Sequence, residues 1–178
     1  QTHPGSWKDA DARDAEPKAG TLPGPLHGIP VLLKDNIDAM PMVNSAGSLA
    51  LADNRPTRDA FLVQRLRDAG AVILGKTNLS EWANMRSTHS SSGWSGRGGQ
   101  TRNPYILDRN PCGSSAGPGI AIAANLASVG IGTATDVSVI FPAAMTGLVR
   151  ITPPRALASR TRPLPSHHSH PHHGPVPP

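Results

Sequence analysis

The sequence of 178 residues has few aromatic side chains, one cysteine and no long apolar run. Aromatic residues make up 3% of the chain, so any core must be built from Ala, Val, Ile and Leu. The single cysteine, Cys112, excludes a disulfide within the chain. No apolar run approaches the length of a membrane span, and no signal peptide is visible. Because the first residue is glutamine, we expect the natural N-terminus to lie upstream. The compartment is therefore open, and the cytoplasm is expected only by default.

The formal net charge is +5 and the isoelectric point is near 10.1, which raises the possibility of a nucleic-acid partner. The basic residues are scattered, however, and only Arg155, Arg160 and Arg162 are locally enriched without acids. No aromatic stripe accompanies them, so nucleic-acid binding is not expected. With 19 Pro and 18 Gly the chain is rich in loops, and it lacks the mass that a self-contained fold of this length buries.

The first half of the chain predicts two buried strands with a helix between them. Ile29–Leu33 and Ala71–Leu74 are continuous apolar runs of strand length. The helix is predicted over Asp59–Ala69, with Asp59 as its N-cap and Gly70 as its end. The order strand, helix, strand predicts a mostly parallel sheet.

The second half predicts a long polar loop, a helix of small residues and a third strand. The loop runs from Arg86 to Gly113, and a loop of that length in a compact domain is usually functional. The helix is predicted over 115–127, where small residues allow close packing against a sheet, and the strand over 128–131. The fold class is therefore α/β, with helices covering a mixed, mostly parallel sheet.

Three side chains could form a serine hydrolase that uses no histidine. Lys34 ends the apolar run VLLK, Ser114 lies in a Gly-Ser-Ser turn, and Ser138 follows 24 positions later. Amide hydrolysis needs a nucleophile, a proton shuttle and an oxyanion site. A strand-end lysine taken alone is more often a surface residue whose ammonium reaches solvent. The serine spacing favours a buried base instead, because burial lowers the pKa of lysine.

An ordered set of segments resembles the amidase signature family. The set is GIPVLLKDN, AVILGKTNLSEWAN, GGQTRNP, GSSAG and GTATDVS followed by PAAMTG. The segments GKTNLSEWAN and SGWSGRGGQTRNPY are most similar to the bacterial peptide amidases of that family. The resemblance runs from about Asp9 to Ser159 and covers only the N-terminal part of the catalytic core. It implies a partial core in which helices cover a mixed sheet.

The resemblance also implies a role for each side chain of a Ser-Ser-Lys triad. Ser138 would be the acyl-forming nucleophile, Ser114 would pass protons, and Lys34 would be the final base. The bond Gly113–Ser114 would be a cis peptide. Ser115 would be a supporting hydrogen-bond partner, although capping the following helix is an equally compatible role.

The oxyanion donors implied by the family are backbone N–H groups of the turn that ends in the nucleophile: Thr135, Asp136, Val137 and Ser138. The family usually has glycine where this chain has Val137. If that position requires a positive φ, a β-branched residue there is an outlier and the donors would be displaced. We therefore expect an impaired enzyme.

The sequence predicts three regions: residues 1–22 as a polar helix end and linker, 23–152 as the partial core, and 153–178 as an off-family tail. The tail from Thr161 to Pro178 is rich in Pro and His, and we expect it to be disordered. The alternative is that the tail forms a metal site with its five histidines: His167, His168, His170, His172 and His173.

No cofactor and no metal are predicted elsewhere in the chain. His27 and His89 are isolated, and the GKTN segment lacks the upstream glycine of a phosphate-binding loop. The predicted function is hydrolysis of carboxamides, with peptide C-terminal amides as the closest likeness and with activity impaired in this chain. The alternatives are an inactive amidase remnant and an A-subunit-like component of a tRNA-dependent amidotransferase. The expected partner is the amide substrate, and the oligomeric state stays open.

Overall fold

The computed structural model describes residues 1–20, 23–153 and 172–176, which form a mixed sheet with helices packed on it. The helices are α1 (Ser6–Ala15), α2 (Phe61–Asp68), α3 (Ala116–Ala123) and α4 (Ile140–Met145). The main sheet contains β1 (Pro30–Lys34), β2 (Val72–Thr77), β5 (Val129–Ala134) and β6 (His172–Val176). Strands β3 (Trp94–Ser95) and β4 (Gly99–Gln100) form a short antiparallel hairpin. The predicted α/β class is confirmed.

The strand order of the main sheet is β2-β1-β5-β6, and β1 is parallel to both of its neighbours. A central parallel strand is covered on both faces, which explains why the sequence of β1 is an uninterrupted apolar run. Lys34 is the last residue of this strand, and its side chain is buried. The core beside β1 consists of Val31, Leu33, Ile37, Ala39, Met42, Ala60, Val63, Leu66, Ala71, Ile73 and Ile131.

Strand β6 corrects the prediction for part of the tail. Residues 172–176 pair antiparallel with β5, from Ala134 opposite His172 to Gly130 opposite Val176. Without this partner β5 would be an edge strand with unpaired N–H and C=O groups, and an edge of that kind favours addition of another strand. The expectation of no regular structure is therefore wrong for these five residues. The rest of the tail, with His167, His168 and His170, lies outside the described residues.

Helix α2 forms where it is predicted, but its start differs from the expectation. Ala60 is the N-cap, while the Asp59 carboxylate accepts hydrogen bonds from the Met40 N–H at 2.6 Å and from Arg67 Nε at 2.9 Å. The predicted capping role of Asp59 is wrong because these tertiary partners hold its carboxylate. Gly70 follows the helix with a φ of +93°, a conformation that favours glycine, so the predicted end is confirmed.

The long loop between β2 and α3 is held in place by Asn78. Its amide nitrogen donates hydrogen bonds to the carbonyls of Gly93 and Gly99 and to Thr101 Oγ1, at 3.3, 3.0 and 2.9 Å. The backbone carbonyl of Asn78 also accepts a hydrogen bond from the N–H of Gly117 in α3. A Cβ atom added at Gly117 would overlap the Asn78 backbone. Small residues therefore let α3 pack closely, as predicted, although the helix ends at Ala123 and β5 extends to Ala134.

The N-terminal residues lie along the outer side of β2. Thr2 pairs antiparallel with Gly75, and the His3 N–H donates to the Leu74 carbonyl at 2.8 Å. Helix α1 then packs against β2. In the described part of the chain no helix has the length and apolar character needed to cross a membrane.

Candidate active site

Lys34 is a fully buried lysine at the carboxyl end of β1. Its side chain is 0% exposed, and its Nζ atom donates to Ser114 Oγ at 2.7 Å and to the Thr133 carbonyl at 3.1 Å. The alternative of a surface lysine that reaches solvent is wrong for this chain. The Lys34 amine and the Ser114 hydroxyl are therefore in hydrogen-bond contact.

Burial lowers the pKa of Lys34 from 10.5 to about 7. The cause is desolvation, since an ammonium group loses its hydration inside the protein while the neutral amine loses little. A base with a pKa near the working pH is partly unprotonated and can still return its proton, which general acid–base chemistry requires. The amine of Lys34 can therefore accept a proton from the Ser114 hydroxyl near neutral pH.

Ser114 is held in a tight turn before α3. The Gly113–Ser114 peptide bond is cis, as the family resemblance implies, and Ser114 is fully buried. The Ser114 carbonyl accepts from the Ser80 N–H at 3.0 Å. A Cβ atom at Gly113 would collide with the Ser80 hydroxyl, so this position requires glycine. Ser80 thus fixes the turn that presents the Ser114 hydroxyl to Lys34.

Ser138 lies in the turn between β5 and α4. Its carbonyl accepts a hydrogen bond from the Ser115 N–H at 3.0 Å, so its backbone is adjacent to the turn that carries Ser114. Ser138 is partly exposed, in contrast to Ser114. A nucleophile must be reachable by substrate, and this exposure suits that requirement. Contact between the two hydroxyl groups stays a prediction.

The turn over residues 135–138 carries the four backbone N–H groups that the family resemblance implies as oxyanion donors. Within residues 1–20 and 23–153, none of these four N–H groups donates a hydrogen bond to the protein. The six non-glycine residues of positive φ in the described chain do not include Val137. The conditional expectation of a strained Val137 therefore does not apply here, because its backbone is not in the left-handed region.

Ser115 links α3 to β5 through its side chain. Its Oγ atom donates to the Thr133 carbonyl at 3.0 Å and accepts from the Thr133 N–H at 3.2 Å. Ser115 occupies the N-cap position of α3, but its side chain makes no capping hydrogen bond. Of the two roles considered, the structure favours the supporting hydrogen-bond partner.

Thr133 is a site residue that sequence reasoning missed. Its carbonyl accepts from both Lys34 and Ser115, and its hydroxyl accepts from Asn36 Nδ2 at 3.0 Å. Thr133 is the fifth residue of β5, and the β1–β5 pairing brings it beside the end of β1. The only signal in the sequence is its place shortly before the Ser138 turn.

Among the residues whose side chains are described, no cluster of three metal-ligating side chains occurs.

This geometry can be set beside known proteins. The Amidase family profile matches residues 3–177. The chain belongs to the Amidase family. It is 47% identical over 168 residues to a probable amidase of Arabidopsis thaliana, covering 93% of this chain and 33% of that protein. It is 45% identical over 156 residues to the A subunit of the glutamyl-tRNA(Gln) amidotransferase of Acidothermus cellulolyticus, covering 88% and 30%.

A solved relative is the native peptide amidase of Stenotrophomonas maltophilia. It is 58% identical, with a TM-score of 0.95, and the match covers 99% of this chain and 36% of that one. The A subunit of the Thermotoga maritima glutamyl-tRNA(Gln) amidotransferase is 28% identical, with a TM-score of 0.78 and coverage of 97% and 43%. The predicted family and the likeness to peptide amidase are confirmed. The chain spans about a third of the length of these relatives.

Burial of Lys34 leads to a prediction about stability. Replacing Lys34 with methionine in this chain is expected to increase the free energy of unfolding at pH 6. A lysine pKa lowered to about 7 costs about 3–5 kcal/mol in the folded state at low pH. Leaving the Ser114 hydroxyl without its partner offsets about 1–3 kcal/mol of the gain. Urea unfolding between pH 6 and 9.5 measures the difference.

The sign of the pH dependence follows from the proton balance. Between pH 7 and 10.5 the unfolded chain keeps the lysine proton that the folded chain has released, so stability rises with pH. The advantage of K34M is therefore complete below about pH 7 and declines toward pH 10.5. Lys8→Met, at an exposed lysine, is the matched control and should show no such gain. An advantage of K34M that does not change with pH would contradict a lowered Lys34 pKa.

Proposed function

We propose that this chain carries the three catalytic side chains of an amide hydrolase: Lys34, Ser114 and Ser138. The observation that carries the proposal is the 2.7 Å contact between Nζ of a fully buried lysine and Ser114 Oγ. Burial lowers the pKa of Lys34 to about 7, so its amine can act as a base. Membership in the Amidase family supports the same reaction class.

In the proposed reaction, the Ser138 hydroxyl oxygen attacks the carbonyl carbon of the amide. The Ser138 proton passes to Ser114, which gives its own proton to Lys34. The negative carbonyl oxygen accepts hydrogen bonds from the backbone donors of residues 135–138. When the C–N bond breaks, the proton returns from Lys34 through Ser114 to the nitrogen, and ammonia leaves. Water then attacks the Ser138 ester by the same proton route and releases the carboxylic acid.

Peptide C-terminal amides are the proposed substrates. The support is the 58% identity to a peptide amidase, against 28% to the A subunit of a solved amidotransferase. The second candidate is the A subunit of an amidotransferase, which the 45% identity to such a protein keeps open. Release of ammonia from a peptide amide with no partner protein distinguishes the first function from the second.

We predict that the 178-residue chain alone has little or no amidase activity. Its relatives are about three times as long, and much of the substrate pocket is expected to come from the additional sequence. The test uses an amidase chimera, in which residues 3–152 replace the corresponding segment of the Stenotrophomonas maltophilia peptide amidase. We expect the chimera to release ammonia from peptide amides. Turnover by the 178-residue chain equal to that of the chimera would contradict the prediction, and an inactive but folded chimera would contradict the proposed function.

A further inference from the structure

A buried carboxylate directly follows the proposed base. Asp35 is 6% exposed and comes immediately after Lys34 in the chain. A carboxylate within about 4–6 Å of a lysine favours the ammonium form and raises its pKa. Such a neighbour would oppose the role of Lys34 as a base, yet the two side chains form no ion pair in the described structure. Something must therefore hold the Asp35 carboxylate elsewhere.

The cationic partners of Asp35 lie on β2 and in the β3–β4 turn. Lys76 Nζ is 3.0 Å from Asp35 Oδ1, and Arg97 Nη1 is 3.3 Å from Asp35 Oδ2. The Ser45 hydroxyl donates to Oδ2 as well. Two cations thus flank one carboxylate.

The pairing of β1 with β2 places Lys76 close to Asp35. In the parallel pairing of β1 with β2, Lys76 lies opposite Leu33, and the Asp35 N–H donates to the Thr77 carbonyl at 3.1 Å. Neighbouring side chains on a strand point to opposite faces, so Lys76 shares the face of Leu33 and Lys34 lies on the other. Asp35, in the turn after β1, contacts Lys76.

The Lys76 ammonium is also held by one backbone carbonyl and one side-chain amide oxygen. It donates to the Val43 carbonyl at 2.9 Å and to Asn44 Oδ1 at 3.1 Å. Together with the ion pair to Asp35 Oδ1 at 3.0 Å, these two acceptors set the position of the ammonium. Burial lowers the pKa of Lys76, and the Asp35 carboxylate opposes that change.

Among the described residues, no charged side chain forms an ion pair or a hydrogen bond with Lys34. Helix α3 and strand β5, which pack against β1, carry no titratable side chain. The described contacts of Lys34 are with the uncharged Ser114 hydroxyl and the Thr133 carbonyl. The charged groups in the cluster around Asp35 are Asp35, Lys76, Arg97, the Gln1 amino group and Asp38.

We propose that Lys76 and Arg97 are positioning residues that hold and neutralise the Asp35 carboxylate, so that the Lys34 amine stays free to accept the Ser114 proton. The inference rests on the proposed function of Lys34. With both cations present the cluster of Asp35, Lys76 and Arg97 carries a net positive charge, which disfavours a further ammonium nearby. Removing a cation leaves the carboxylate less compensated and favours protonated Lys34.

The test is an NMR titration of the 178-residue chain labelled with ¹³C at the lysine side chains. The chain has four lysines, Lys8, Lys18, Lys34 and Lys76, and the signal missing from K34M assigns Lys34. In K76M we expect the Lys34 pKa to rise. R97Q should give a smaller rise, and it removes a charge from a side chain that is 29% exposed, so folding is less at risk.

Control variants separate charge from packing. K76R keeps the positive charge and should leave the Lys34 pKa near that of the unsubstituted chain. D35N should lower it or leave it unchanged, and D35N/K76M and D35N/R97Q should reverse the rises. A merely structural role of the cluster would not make the rise in K76M and R97Q depend on the Asp35 carboxylate. If K76M does not fold, R97Q and D35N/R97Q decide the question.

The experiment distinguishes failure of the proposed base from failure of the proposed positioning role. A Lys34 pKa near 10 in the unsubstituted chain would contradict the proposed base itself. A lowered Lys34 pKa that does not change in folded K76M and R97Q would overturn the positioning role alone. An equal rise in D35N would overturn it as well, because that variant removes the carboxylate that the cations are proposed to neutralise.

Discussion

Replacing Ser138 with alanine in the amidase chimera is expected to lower kcat for peptide amides by at least about 10⁴-fold. The alanine variant has no oxygen to form the acyl ester, and Ser114, fully buried beneath the turn, is not placed to replace it. Ammonia release measures the loss. Because Ser138 is partly exposed, its replacement should leave the free energy of unfolding almost unchanged.

The matched control is Ser91→Ala, at an exposed serine of the long loop. It makes the same chemical change at a serine with no assigned catalytic role and should retain turnover. Covalent labelling by a fluorophosphonate gives a second measurement: the chimera and S91A should be labelled, and S138A should not. Turnover by S138A within about tenfold of the unsubstituted chimera would show that another group is the nucleophile, since loss of a nucleophile costs far more.

The parts of the fold that local patterns predict well are the buried parallel strands and the helix between them. The run Ile29–Leu33 is apolar at every non-proline position, as expected for a strand covered on both faces, and it becomes β1. Helix α2 forms with its apolar face inward and ends at Gly70. In these elements the preference of the segment and the demands of the core agree, so the sequence suffices.

Partners distant in sequence decide the elements that were predicted less well. Asp59 has the chemistry of a helix cap, but Met40 and Arg67 bind its carboxylate in the folded chain. The strand β6 has no apolar alternation, and it forms where the free edge of β5 offers backbone partners. Composition alone gives no information about which edge is open.

Local sequence likewise predicts only part of the candidate site. A lysine after an apolar run is compatible with both a surface and a buried side chain, and only the serine segments and their family resemblance favour burial. The direction of the Asp35 carboxylate depends on Lys76 of another strand and Arg97 of the loop. The conformation of Val137 likewise depends on how the β5–α4 turn is closed. Such three-dimensional details need the assembled sheet.

Lys34→Met in the amidase chimera is expected to lower kcat/KM by about 10²–10⁴-fold, the contribution typical of a positioned general base. Methionine fills nearly the same space but cannot take the Ser114 proton. Lys34→Arg is the matched variant that keeps a positive charge. It should be impaired as well, because a guanidinium does not release its proton in the working pH range.

The pH profile distinguishes a base from a structural lysine. With Lys34 present, kcat/KM should decline about tenfold per pH unit below about pH 7, since protonation of the amine removes the base. The residual activity of K34M should lack this acid limb. A structural lysine would affect the rate equally at every pH, and Lys34→Arg would restore part of it. Persistence of an acid limb near pH 7 in K34M would assign that titration to another group and contradict Lys34 as the base.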